Sequence, residues 1–130
     1  MNANYWSNRV VLVVEDDFLC YQYIEVMLKG TGLKIIHVQS GEDAISICRT
    51  DEIIDFVLMD IQLPFMSGYD TTKQIKSIRR NLPVIAQTGS LMSDSVNLSD
   101  EAGCNYYVTK PLDPDELFDA ISKCLNDCVD

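Results

Sequence analysis

Acidic side chains follow two apolar runs of this sequence, at the point where each run ends. Glu15 and Asp16 come directly after the run that ends at Val14, and Asp60 follows the run that ends at Met59. Carboxylates can hold a hard divalent cation such as Mg²⁺, and an aspartate can also attack phosphorus to give an acyl phosphate. Any one of these acids could equally be a helix cap or a strand terminator, so the interpretation depends on their coincidence.

Two further polar residues end other apolar runs. Thr88 ends one run, and Lys110 follows the run that ends at Thr109. The Thr88 hydroxyl can donate to a phosphoryl oxygen, and the Lys110 ammonium can offset negative charge. Three acids, one Mg²⁺ and one lysine formally sum to zero charge. The residue types therefore predict a magnesium site at which Asp60 accepts a phosphoryl group.

The elements that position these residues can be predicted from the hydrophobic pattern. Strands are predicted from short apolar runs at Arg9–Val14, Lys34–Val38, Phe56–Met59, Pro83–Gln87 and Tyr106–Thr109. Helices are predicted from amphipathic spacing at Phe18–Lys29, after Ser40, after Ser67, at about Ser93–Ala102 and from Pro114 onward. Five βα units in this order predict an α/β fold with a parallel sheet covered on both faces. Ligands of such sheets bind at the carboxyl ends of the strands, where the polar residues fall.

The last predicted helix has the clearest start signal. Asp113 stands at its N-cap, Pro114 at the first helical position and Glu116 at the third. This spacing is typical of a capping box, in which the Glu116 carboxylate reaches back to the N–H of the cap residue.

Composition limits the classes of function. The 130 residues carry 20 acids and 10 bases, a formal net charge of -10, and this excess argues against a nucleic-acid surface. No apolar run approaches the roughly 20 residues of a membrane span, so we expect no membrane contact by this domain. The five cysteines are odd in number and scattered, and Met1–Asn4 leads into a polar segment without a secretory signal. We therefore expect free thiols and a cytoplasmic location.

Four motifs have an order and spacing that are specific in combination: LVVEDD at Leu12–Asp17, LMDIQLPFMSG at Leu58–Gly68, IAQTGS at Ile85–Ser90 and YYVTKPLD at Tyr106–Asp113. With them the sequence resembles the receiver domains of two-component response regulators over about Arg9–Asp127. The resemblance implies a flavodoxin-like, doubly wound (βα)5 fold with strand order 2-1-3-4-5. Residues 1–8 are then an N-terminal lead, and residues 9–128 form the receiver domain.

The resemblance also implies the ligands of the metal, and no other cofactor. Glu15 and Asp16 match the acidic pair of the family, with Asp16 the more direct ligand of Mg²⁺. Asp60 matches the phosphoacceptor and a further metal ligand, and the backbone carbonyl of Gln62 matches the third protein ligand. Gly89 departs from the family, in which alanine is usual at that position.

Three residues match the parts of the family that respond to phosphorylation. Thr88 corresponds to the switch hydroxyl, Lys110 to the lysine at the phosphorylation site, and Tyr107 to the aromatic residue that changes rotamer. Activation then changes one surface, which we call the output face: the predicted helix at 93–102, the fifth strand and the last helix. The family resemblance implies that the Lys110–Pro111 peptide is cis.

The resemblance implies a role in phosphorelay signal transduction. The phosphodonor would be a histidine kinase or a histidine phosphotransfer protein, and a homodimer through the output face is a further expectation. The sequence identifies no downstream effector. The chain would be a stand-alone regulator or the receiver of a hybrid sensor histidine kinase. It would not be an enzyme, apart from weak self-phosphorylation and self-dephosphorylation.

Two other functions fit the sequence less well than this interpretation. A magnesium-dependent phosphatase with Asp60 as nucleophile would need a second Asp two residues later, where this sequence has Gln62. A flavin-phosphate binder would need a small-residue loop after the first strand, whereas Glu15-Asp16-Asp17 would repel the phosphate. The single histidine, His37, is predicted to be a satisfied core residue without a role.

Overall fold

The computed structural model describes residues 5–89 and 101–126. Five strands occur in this part of the chain: β1 (Val10–Val14), β2 (Lys34–Val38), β3 (Phe56–Asp60), β4 (Val84–Thr88) and β5 (Tyr106–Thr109). Four helices accompany them: α1 (Phe18–Leu28), α2 (Gly41–Cys48), α3 (Gly68–Ile78) and α4 (Pro114–Asn126). The helix predicted at 93–102 lies outside the described residues, apart from Glu101 and Ala102, which are helical.

The five strands form one parallel sheet with the order β2-β1-β3-β4-β5. This order confirms the predicted doubly wound architecture. Every residue of β1, β3 and β4 is buried, whereas β2 is an edge strand whose residues are exposed or half-buried. Central parallel strands are covered on both faces, which explains their continuous apolar runs.

Apolar side chains pack into two clusters, one on each face of the sheet. Leu12 and Val14 of β1 belong to the cluster that α2 and α3 cover, and Val11 and Val13 belong to the cluster under α1 and α4. This division follows from the two-residue repeat of a strand. Among the described residues, no helix combines the length and the apolar character that crossing a membrane requires.

The second cluster begins before the first strand. Trp6 is only 5% exposed, and its ring lies edge-on to Phe118 of α4 at a centroid distance of 5.7 Å. The Trp6 backbone N–H donates to the carbonyl of Thr31 at 2.6 Å. The boundary between a lead at residues 1–8 and a domain at 9–128 stays a prediction, but Trp6 is part of the core.

Side-chain caps fix the starts of the helices. Asp17 accepts from the backbone N–H groups of Leu19 and Cys20 at the start of α1. Asp113 accepts from the N–H of Glu116 at 3.0 Å, as predicted for α4. The second half of the predicted capping box is wrong, because the Glu116 carboxylate accepts from the N–H of Thr109 at 2.9 Å. This contact joins the start of α4 to the end of β5, where a strand N–H would otherwise lack a partner.

Candidate functional site

Three carboxylates meet at the carboxyl ends of β1 and β3. Glu15 and Asp60 are 1% and 2% exposed, and Asp16 is exposed. Each of the three offers an oxygen that lies within 4.8 Å of the others. We call this set the acidic cluster. Its donors are all carboxylate oxygens, which suit a hard divalent cation better than a soft metal.

The sheet register explains why these side chains converge. β1 and β3 are neighbours, with Val14 opposite Met59, so the next residue on each strand is an acid of the cluster. The Glu15 N–H donates to the Val38 carbonyl at 3.1 Å, which extends the sheet pairing by one residue. The backbone N–H of Gln62 donates to Oδ1 of Asp60 at 2.9 Å and fixes that carboxylate.

Gly68 allows the chain to turn closely behind Asp60. Its N–H donates to the Ile61 carbonyl at 3.0 Å, at the first residue of α3. A Cβ atom added at this glycine would overlap the backbone carbonyl oxygen of Asp60 and lie 2.7 Å from the Cα atom of Ile61. Only a residue without a side chain fits this approach.

Lys110 reaches the acidic cluster from the end of β5. Its Nζ donates to Oδ1 of Asp60 at 2.9 Å, while the Lys110 side chain is 27% exposed. Burial by itself lowers the pKa of Lys110, but the hydrogen bond and charge of Asp60 outweigh burial, so the pKa is raised. The Lys110 N–H donates to the Thr88 carbonyl at 2.9 Å, and the Lys110–Pro111 peptide is cis.

The pKa of Glu15 is strongly raised. Burial, and then the charge of Asp60, raise the pKa of Glu15 from 4.5 to about 7. Its Oε1 atom is buried and has no hydrogen-bond partner among the described residues, while Oε2 accepts from the Asp17 N–H at 3.1 Å. Carboxylate oxygens of Glu15 and Asp60 lie within 4.8 Å of each other, so a proton on Glu15 reduces their repulsion. A divalent cation could take the place of that proton, so the site fits Mg²⁺.

The other predicted site residues lie around this cluster. Thr88 is buried at the end of β4, opposite Thr109. Gln62 is exposed, and its backbone N–H contacts Asp60. Tyr107 is half-buried and packs against the first core cluster, with Ala86 opposite it in β4.

Two polar residues outside the predicted set of site residues lie beside the cluster. His37 of β2 is half-buried, and its Nε2 lies 2.8 Å from the carbonyl oxygen of Glu15. Gln87 stands opposite Asp60 in the sheet, and its Nε2 is buried without a partner among the described residues. A polar residue inside an apolar strand was the available signal in both cases.

Comparison with known proteins decides the family. The family model described as the response regulator receiver domain matches residues 11–122. The chain belongs to this family. A receiver domain is a signalling module, and the acidic cluster of this one could hold a metal ion.

Curated relatives of this receiver domain include whole regulators and parts of larger kinases. The polar-differentiation response regulator DivK of Brucella ovis is 33% identical over 119 residues, which cover 90% of this chain and 96% of DivK. The probable histidine kinase 4 of Oryza sativa subsp. japonica is 30% identical over 141 residues, covering 92% of this chain. The chain spans only 14% of the length of that kinase.

Solved structures of similar fold include other receiver domains. The receiver domain of a sensor histidine kinase from Pseudomonas aeruginosa PAO1 is 29% identical with a TM-score of 0.84, covering 92% of this chain and 99% of that one. That structure holds a magnesium ion coordinated in the active site cleft. A putative response regulator from Chloroflexus aurantiacus is 28% identical with a TM-score of 0.84, covering 90% of this chain and 97% of that one.

Proposed function

We propose that this receiver domain accepts a phosphoryl group on Asp60 in a magnesium-dependent reaction. One observation carries the proposal: Asp60 is buried at a strand end, bonded to Lys110 at 2.9 Å and grouped with two other carboxylates. A purely structural ion pair would explain the contact between Lys110 and Asp60 as well as this proposal does. It would not explain why two further carboxylates lie beside Asp60.

The donor set indicates how the reaction would proceed. Oδ1 of Asp60 already accepts from Lys110 and from the Gln62 N–H, which orients the carboxylate. A carboxylate oxygen of Asp60 attacks phosphorus, and a new O–P bond forms. The bond between phosphorus and the donor's histidine nitrogen breaks, and that nitrogen keeps the electron pair.

Residues of the acidic cluster would hold the metal. Glu15, Asp16, Asp60 and the backbone carbonyl of Gln62 are the proposed ligands of Mg²⁺. The ion, when bound, neutralises charge on the transferring phosphoryl oxygens. Lys110, whose Nζ lies 2.9 Å from Oδ1 of Asp60, supplies a second positive charge. The magnesium-bearing Pseudomonas receiver supports this assignment.

Phosphorylation would then change the relative populations of two conformations of the domain. It adds about -1.5 to -2 charges at Asp60, which the Thr88 hydroxyl and Lys110 can bind. Tyr107 lies on the same face of the sheet as Ala86 and Thr88, because Ala86 is its partner and Thr88 follows two residues later. Movement of Thr88 would give Tyr107 room to change rotamer and alter the output face.

The proposed partners follow from family membership. A histidine kinase or histidine phosphotransfer protein would donate the phosphoryl group, and two copies of the chain could pair through the output face. Both contexts, a stand-alone regulator like DivK and the receiver of a hybrid kinase, have relatives that match. We further propose a cytoplasmic role without nucleic-acid contact by this chain, and weak self-phosphorylation and self-dephosphorylation as its only catalysis.

The test is phosphorylation by acetyl phosphate with Mg²⁺, followed by intact-protein mass spectrometry. The wild-type chain should gain one phosphoryl group, and the gain should disappear in Asp60→Asn and in excess EDTA. Asp17→Asn is the matched control, because asparagine keeps the cap of α1 and the change removes a nearby acid outside the cluster. A phosphoryl group retained by Asp60→Asn would refute the proposal.

A further inference from the structure

Two hydrogen bonds to β2 hold the turn that carries Glu15 and Asp16, which we call the acidic turn. The Glu15 N–H donates to the Val38 carbonyl at 3.1 Å, which is an ordinary extension of the sheet. The Glu15 carbonyl points to the Nε2 atom of His37 at 2.8 Å. A carbonyl oxygen can only accept, so Nε2 carries the proton in this contact.

The ring of Tyr21 fixes the orientation of His37. The two rings are stacked, with centroids 3.7 Å apart and planes 1° from parallel. Tyr21 belongs to the first turn of α1, where its N–H donates to the Asp17 carbonyl at 2.9 Å. His37 stands opposite Val13, which packs on the face of the sheet that α1 covers. The imidazole therefore lies between the edge strand and the helix that follows the acidic turn.

Asp16 depends on this backbone for its position. Its side chain is exposed and makes no hydrogen bond with the described residues, although one of its oxygens lies in the acidic cluster. The peptide that joins Glu15 to Asp16 carries the carbonyl that His37 binds. Rotation of that peptide would move both Asp16 and the direction of the Glu15 side chain.

We infer that His37, stacked on Tyr21, is a positioning residue for divalent-cation binding by Glu15 and Asp16. The inference rests on the proposed function of the acidic cluster. Partners that orient metal ligands without touching the metal typically affect affinity by 10- to 100-fold. His37 would thus set the affinity for Mg²⁺ without contacting the ion or the phosphoryl group.

Four variants separate the effect of the hydrogen bond from that of the ring stack. His37→Leu removes the donor, and we expect the dissociation constant for Mg²⁺, measured from amide chemical shifts in NMR titrations, to rise about ten-fold. His37→Gln keeps an N–H donor near the position of Nε2 and should recover most of the affinity. Tyr21→Phe keeps the stacked ring and should match the wild type, whereas Tyr21→Leu should behave like His37→Leu.

Two readouts exclude a general structural effect. In the metal-free wild type, long-range ¹H–¹⁵N spectra should show a protonated Nε2 on His37. The phosphorylation rate of His37→Leu with acetyl phosphate should fall at limiting Mg²⁺ and return to the wild-type value at saturating Mg²⁺. A folded His37→Leu variant with wild-type affinity, or a bare Nε2, would overturn the inference. Failure of the wild type itself to bind Mg²⁺ or to be phosphorylated would instead overturn the proposed function.

Discussion

At the scale of single residues, the acidic cluster is a concentration of negative charge with one nearby ammonium group. Glu15 and Asp60 are both buried. Of these two carboxylates, Lys110 contacts Asp60, at 2.9 Å. Burial and the charge of nearby Asp60 raise the pKa of Glu15 to about 7, so Glu15 is the group that retains a proton. The metal-free site is therefore a proton-binding site at neutral pH.

The stability of the metal-free protein should depend on the protonation of Glu15. Its pKa is raised from 4.5 to about 7 in the folded chain, so the folded state binds more protons than the unfolded state between these values. The free energy of unfolding should therefore fall as pH rises from 5 to 8 in EDTA, by at most roughly 3 kcal/mol. Urea unfolding at each pH measures this trend.

Glu15→Gln provides the control for this pH dependence. Glutamine is close in size and does not titrate, so the variant should lose most of the slope between pH 5 and 8. Saturating Mg²⁺ should reduce the slope in the wild type, because the ion replaces the proton. An unchanged slope in Glu15→Gln would show that another group is responsible.

Lys110 should stabilise the metal-free fold. Lys110→Met removes the partner of a carboxylate that is 3% exposed, and we expect a loss of about 2 kcal/mol in urea unfolding. Lys123→Met is the matched control, because its pair with Asp119 leaves side chains 56% and 68% exposed. That change should alter stability by less than about 0.5 kcal/mol. Equal effects of the two substitutions would contradict the assigned role.

At the scale of elements, most of what positions the site could be predicted from the sequence. Continuous apolar runs indicated central strands, and the polar residue that ended each run indicated the functional edge of the sheet. The contact of Glu116 with Thr109 could not be predicted, because a capping box and a strand contact use the same residue type. The contact between His37 and Glu15 joins two strands in three dimensions, and spacing along the chain contains no signal for it.

Gly68 should be the most sensitive position in the connection between β3 and α3. Gly68→Ala places a methyl group against the Asp60 carbonyl and the Ile61 Cα atom, so the backbone behind the phosphoacceptor must shift. We expect a loss of about 2 kcal/mol in stability and weaker binding of Mg²⁺ by calorimetric titration. The steric contact involves backbone atoms, which cannot move aside as a flexible side chain can.

Gly89→Ala serves as the comparison within the same chain. Among the described residues, a Cβ atom at Gly89 would meet only the side chain of Gln62, at 3.8 Å, and the φ of Gly89 lies outside the left-handed region. Stability should be unchanged or rise by about 0.5 kcal/mol, since alanine restricts the unfolded chain. A destabilised Gly89→Ala variant would mean that the connection after β4 needs glycine for another reason.

At the scale of the whole molecule, the two core clusters pack on opposite faces of one sheet, and only the second includes a residue that precedes the first strand. The cluster under α1 and α4 includes Trp6, which no helix or strand signal identified. The lead was predicted as separate because it precedes the first apolar run. Its tryptophan is nonetheless held by the Thr31 carbonyl and by Phe118, contacts from distant parts of the sequence.

Removal of the Trp6 side chain should therefore destabilise the entire domain. Trp6→Ala leaves a cavity in the cluster under α1 and α4, and we expect a loss of about 3 kcal/mol in urea unfolding followed by circular dichroism. Tyr5→Ala is the matched control, because Tyr5 is 55% exposed. It should cost much less. A Trp6→Ala variant as stable as the wild type would indicate that the lead does not belong to the folded unit.

Trp6 is the single tryptophan of the chain and lies at the amino ends of the strands, where the Arg9 N–H donates to its carbonyl. The five residues of β1 separate it from the acidic turn by roughly 17 Å. Its fluorescence emission should therefore change when the domain unfolds and stay constant when a cation binds. Spectroscopic detection of ligands at the opposite edge would need an indole introduced there, and the intrinsic one would remain as an internal reference for folding.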